Sequence, residues 1–121
     1  MSITVATTYA NSTAIQCSTT AATAMGIDAL GNPSQTTNIM FVQLFDSVAP
    51  TLGTDTPIAV VPIQPILAEG AKTKDHIIFG GGGVRCTTGL FFFVTNAAAA
   101  NTTAAASTDA PQEVRVFWTP S

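Results

Sequence analysis

Charge is what this chain has least of. Lys plus Arg number four and Asp plus Glu seven in 121 residues, 9% of the chain, against about 25% in an ordinary globular domain. With a net charge of −3 there is no basic face to neutralise phosphates, which excludes nucleic acid as a partner. The same deficit excludes anchoring on anionic lipid. Long hydrophobic runs are also missing. The longest stretch of large apolar residues is Leu90–Val94, far short of the roughly 20 residues of a spanning helix, so no membrane partner is expected. Histidine occurs once, as His76, and cysteine twice, as Cys17 and Cys86. A zinc site takes about four ligands, which these three cannot supply at any recognised spacing. The start, Met-Ser-Ile-Thr-Val, has neither a basic n-region nor an apolar h-region, which predicts no secretory signal and synthesis in the cytoplasm. The two cysteines then read as small buried thiols rather than a disulfide.

What the chain does have is 46% hydrophobic residues, enough for a proper interior, over a length that suits a single domain spanning residues 1–121. Thr and Ala dominate, with Asn, Ser, Gly and Pro. That is poor material for helices and good material for short strands and turns. Ile3–Thr8, with Ile3 and Val5 alternating against Thr4 and Ala6, reads as a strand, and Ala14–Thr20 as a second. Ala21–Ala24 could begin a helical turn, but Gly26 and Gly31-Asn32-Pro33 break up the residues after it, and the segment reads as loop. Asn38–Asp46 is the clearest strand: Ile39, Phe41, Gln43 and Phe45 share one side, Met40, Val42 and Leu44 the other. With both sides mostly apolar it should be central and covered on each face.

Ser47–Thr56 reads as a turn-rich connection and Pro57–Ile63 as a strand with prolines at its ends. After a turn over Ile66–Thr73 come strands at Lys74–Phe79, Val84–Thr87 and Leu90–Thr95. Residues 96–110 form a low-complexity Ala/Thr loop. Glu113–Thr119 then alternates Val114, Val116 and Trp118 against Glu113, Arg115 and Phe117. The expectation is all-β: an antiparallel β-sandwich or jelly-roll-like fold of about seven to eight short strands.

Reactive constellations are sparse. A triad needs a histidine, and His76 sits in an apparent strand as a surface polar residue. The acids Asp28, Asp46, Asp55, Glu69, Asp75, Asp109 and Glu113 fall mostly in turns, where Asp bends or caps the chain. Gly80–Gly83 lacks the following Lys-Ser/Thr of a phosphate loop and reads as a bend, a bulge or a close backbone approach. No catalytic residue, cofactor or metal is assigned. Phe91, Phe92 and Phe93 put at least one ring on each side of their strand. One side is core; the other needs cover from a further layer, a loop or a second chain. These three are the candidate interface residues.

One resemblance emerges from the order Phe41-Val42-Gln43-Leu44-Phe45-Asp46, Pro50-Thr51-Leu52-Gly53-Thr54-Asp55-Thr56-Pro57 and Val60-Val61-Pro62-Ile63, followed by Gly82-Gly83-Val84-Arg85-Cys86-Thr87-Thr88-Gly89-Leu90. Over roughly residues 38–95 and again at Val114–Trp118 the chain resembles small structural proteins of tailed bacteriophages. It departs from them in the N-terminal third, at Val84 and in the Ala/Thr loop. The resemblance implies a β-sandwich virion component, a capsid decoration or cement protein on the phage head surface, made in the host cytoplasm. It implies two partners, the major capsid protein and copies of the chain itself as a homotrimer, and it brings no catalytic residues. A charge-poor exterior of Thr, Asn and Ala is compatible with close packing among copies, since no ions need be desolvated. The alternative is a β-sandwich adhesion or glycan-binding module on a virion tail, fibre or head surface. Such sites use exposed aromatic platforms, for which only Tyr9 stands in an obviously polar setting. A small β-fold enzyme is the third class.

Overall fold

The structure is a computed structural model that describes residues 1–7, 14–30, 40–63, 74–95 and 113–121, without the side chains of Met40, Lys74 and Asp75. Within them lie nine strands: β1 (Ser2–Ala6), β2 (Ile15–Ser18), β3 (Ala22–Leu30), β4 (Met40–Phe45), β5 (Ala59–Ile63), β6 (Lys74–Ile78), β7 (Val84–Cys86), β8 (Leu90–Thr95) and β9 (Glu113–Pro120). They form two antiparallel sheets. Sheet A runs β1-β9-β3-β6, with β7 also on β3; sheet B runs β2-β8-β4-β5. The expected all-β, sandwich-like architecture is therefore observed. The Ala/Thr loop, the Ile66–Thr73 turn and Tyr9 lie outside the described residues.

The core lies between the sheets. Ala22, Ala24, Ile27, Ala29, Val114 and Val116 from sheet A meet Val42, Leu44, Val61, Ile63, Leu90, Phe92 and Val94 from sheet B, all buried in one cluster. Side chains alternate across a strand, so the clean alternation of Glu113–Thr119 places Val114, Val116 and Trp118 inward, as the sequence suggests. β4 lies between β8 and β5, the predicted central position. Burying each large apolar side chain contributes about 1.5–3 kcal/mol, and all six residues of β8 are buried.

The chief departure from the sequence reading is β3. Ala22–Leu30 is neither helical turn nor loop; it is the longest strand, hydrogen-bonded to β9 along its length. Its register with β9 shifts between Ala24 and Gly26. Met25 is thus an extra residue, a β-bulge. The inward residues are Ala22 and Ala24 before the bulge and Ile27 and Ala29 after it. That change of phase erases the period-2 signal. Gly26 fits here because β6 comes close: a Cβ on it would lie 2.6 Å from the Ile77 carbonyl oxygen.

β6 and β7 share the edge of β3 opposite β9, β6 along Gly26–Leu30 and β7 along Ala22–Ala24. Between them Gly80–Gly83 loops out of what is otherwise one edge strand, closed by a Gly83 N–H donating to the Gly80 carbonyl at 3.2 Å. Gly81, Gly82 and Gly83 take φ of 67°, 89° and 94°, which L side chains rarely adopt. The tetraglycine is a bulge in an edge, one of the devices that blunt an exposed sheet edge.

Candidate functional site

Phe91, Phe92 and Phe93, the candidate interface residues, are all buried within the chain, so the cover that the sequence left open comes from the chain itself. Phe92 faces the inter-sheet core, and Phe93, on the other side of sheet B, is 1% exposed. The cover is a loop. The Phe93 ring meets Phe45 edge-on at 5.4 Å, and Leu52 packs over both, with Ala14 beside them. Leu52 is carried by the Thr51–Asp55 turn, in which the Thr51 carbonyl accepts from the Thr54 and Asp55 N–H groups. The Asp55 carboxylate accepts the Thr51 N–H at 2.7 Å, and Gly53 has φ 87°. On the same side of the sheet the Gln43 amide donates to the Thr95 hydroxyl at 2.8 Å, both residues being fully buried.

The sequence blocks Phe41–Asp46 and Gly82–Leu90 meet in space. Asp46, just past β4, accepts the Thr87 N–H and hydroxyl on Oδ2 at 3.0 and 3.2 Å. Its Oδ1 takes the Thr88 and Gly89 N–H groups at 2.8 and 3.3 Å. The Thr87 N–H foremost, then the other donors, holds this carboxyl below its ordinary value, against a smaller opposing effect of burial. Asp46 is therefore a clamp between β4 and the β7–β8 turn, a structural part for a residue that reads in the sequence only as a turn acid.

Groups with chemical potential are muted. Cys17 and Cys86 are free thiols packed in the core, and burial pushes each up to about 11. Both are protonated at neutral pH and are poor nucleophiles. His76 lies on the outside of sheet A, its Nδ1 paired with the Asp28 carboxylate and its ring 6.4 Å from Phe117. Asp28 and Glu113 line a cavity of about 70 Å³ with Leu30 and Arg115, far below the roughly 300 Å³ at which small-molecule pockets begin. Among the described residues no group of three His, Cys, Asp or Glu is placed to hold a metal ion, and no helix is long and apolar enough to cross a membrane. Glu69 and Asp109 lie outside the described residues.

The distinctive surface is the outer face of sheet A. β1 turns its apolar side outward: Ile3 is 54% and Val5 50% exposed, while Thr4 and Ala6 point in. The Thr4 hydroxyl accepts the Trp118 indole N–H at 2.9 Å. Cross-strand pairing sets Ile3, Phe117, Gly26 and Ile78 in one row over four strands, and Ile78 is 74% exposed. Met1, Met25, Gly26, His76, Ile78 and Phe117 line an open groove of about 340 Å³ there. The alternation of Ile3 and Val5 is visible in the sequence; that it faces out, next to Phe117 and Ile78, depends on register.

Comparison with protein-family models, with curated proteins and with solved structures finds no match to this chain.

Proposed function

We propose that this chain is a non-enzymatic structural component of a virion, a decoration protein that binds and stabilises a phage head in many copies. Its partners are then the major capsid protein and further copies of itself, and its place is the head surface. The observation that supports this most is the outward apolar row Ile3, Phe117 and Ile78 on a chain with so few charges. Apolar patches that span several strands mark association surfaces, and a protein that works by packing against neighbours needs little surface charge. The resemblance carried by the Asp46 and Thr87–Gly89 blocks points the same way, because those residues serve strand–turn geometry and no chemistry. A glycan-binding module is less well supported, since among the described residues His76 is the only polar side chain lining the sheet A groove.

Particles purified by density gradient from a lysate of cells producing the chain test the reading. The chain should band with intact heads at fixed stoichiometry, and heads stripped of it should break at lower temperature. A chain that stays at the top of the gradient rejects the proposal.

A further inference from the structure

We infer that the β1 edge of sheet A is a strand-pairing site for the β1 edge of a second copy of this chain. The two strands run antiparallel about a two-fold axis perpendicular to the sheet and join two A sheets into one. This rests on the self-association in the proposed function and deepens it: it names the backbone that the copies share, and makes the association two-fold where the resemblance implies a trimer.

Four edges bound the two sheets, and among the described residues three of them obstruct a further strand. β5 carries Pro62, which has no N–H to offer. β2 is four residues long, and its pairing with β8 is bulged between Gln16 and Ser18. The β6–β7 edge is broken by the Gly80–Gly83 loop. Short strands, prolines and bulges are the means by which native sheets blunt their edges. β1 has none of them. It pairs with β9 from Ser2 to Ala6 without a register shift, and no Lys, Arg, Asp, Glu or Pro occurs before Asp28. An unblunted edge presents a row of backbone N–H and C=O groups, and the ligand that satisfies such a row is another extended strand.

β1 fits itself. Ser2-Ile3-Thr4-Val5-Ala6 reads nearly the same in both directions: small, β-branched, Thr, β-branched, small. Antiparallel pairing centred on Thr4 sets the two Thr4 residues opposite each other, and Ile3 of each copy opposite Val5 of the other. Cross-strand pairs of Thr with Thr and among β-branched residues are favourable ones. Directly opposed residues point to the same side of a sheet. Ile3 and Val5, 54% and 50% exposed on the outer side, therefore gather into one apolar cluster across the junction. Phe117, opposite Ile3 on β9, continues that cluster within each copy. A symmetric strand that pairs with itself closes as a two-fold pair and offers no edge for a third copy.

A five-residue edge makes a small contact of the transient class, so light scattering from about 10 μM to about 1 mM spans its range. The mass should climb from one chain toward two and hold in high salt, because the junction contains no ion pair. Amide hydrogen exchange at Ile3–Val5 should slow at least several-fold over the same range. The double variant Ile3→Lys, Val5→Lys places like charges opposite each other. It should stay at one chain mass with an unchanged circular dichroism spectrum, and so should Ile3→Glu, Val5→Glu. Mixed one to one, the two variants should pair, and that pairing should fall back in high salt. Such a rescue belongs to β1 on β1 alone; an arm of another protein, or the outer face of sheet A, would not produce it.

A wild type that remains at one chain mass at the top of the range overturns the inference. So does a lysine variant that still pairs, or a mixture that does not. If the lysine variant unfolds, the wild-type exchange decides, and pairing without slowed exchange at Ile3–Val5 overturns the edge. The gradient experiment separates this inference from the shell reading. Pairing without particle binding rejects the shell role alone, and particle binding by a strict monomer rejects the β1 pair alone.

Discussion

Replacing Asp46 by Asn removes a charge from the clamp between β4 and the β7–β8 turn while keeping the side chain's shape. The wild-type carboxylate accepts four hydrogen bonds, three from backbone N–H groups. Asn keeps one acceptor oxygen and must aim an NH₂ group at donors on its other side. Hydrogen bonds to a charged acceptor contribute about 1.5–3 kcal/mol. Solvent at this exposed corner screens them, and Asn retains part of the set, which leaves a loss of about 1–2 kcal/mol at pH 7. The pH dependence fixes the cause. The folded carboxyl titrates below its unfolded value, with the Thr87 N–H as the chief reason, and an unfolded Asp titrates near 3.9. Its contribution is complete above about pH 5 and is lost as pH falls through the folded value. Urea unfolding followed by fluorescence of Trp118, the single tryptophan, should show the gap between wild type and variant at pH 7 and 5. It should close toward zero near pH 2–3. An equal gap at every pH, or none at pH 7, would refute the clamp.

Gly83→Ala should destabilise by about 2–3 kcal/mol in the same assay, because the residue combines φ +94° with a Cβ position 2.5 Å from the Ala24 carbonyl oxygen. Gly80→Ala, with nothing within 4 Å, should change stability by less than about 0.5 kcal/mol; equal effects would contradict the described turn. Thr95→Val should cost about 1–2 kcal/mol through the buried Gln43 amide, and adding Gln43→Leu should cost less than the two single changes summed, as a double-mutant cycle would measure. Phe93→Asp should unfold the chain, seen as lost near-ultraviolet dichroism, since burying an unpaired carboxylate against Phe45 and Leu52 costs several kcal/mol. A folded Phe93→Asp variant would show that this ring is not enclosed.

Local pattern sufficed wherever a strand kept strict alternation. Glu113–Thr119 revealed its inward Val114, Val116 and Trp118, and Asn38–Asp46 revealed a strand covered on both sides. Pro62 falls inside β5 rather than at its very end, but β5 is an edge strand, where a missing N–H is tolerated. β3 was illegible for a physical reason: the bulge at Met25 reverses the inward phase halfway along, and its Ala and Gly content suits close sheet packing while looking like turn stock. The Asp46 clamp was illegible because its donors lie more than 40 residues away, although the two blocks it joins were visible separately.

Composition and short-range periodicity determined the fold class of this protein, since a chain rich in β-formers and turn residues and poor in helix formers leaves an all-β architecture. Tertiary structure decided the direction of each face. The sequence left open whether a layer, a loop or a second chain covers the outer side of Phe91–Phe93, because the loop bearing Leu52, which covers Phe93, lies at a distance along the chain. Ile3, Phe117 and Ile78 looked ordinary because they become one apolar row only when β1, β9, β3 and β6 are set side by side in register. A strand's own residues specify that it has two faces; which face meets water is fixed by the strands and loops that fold against it.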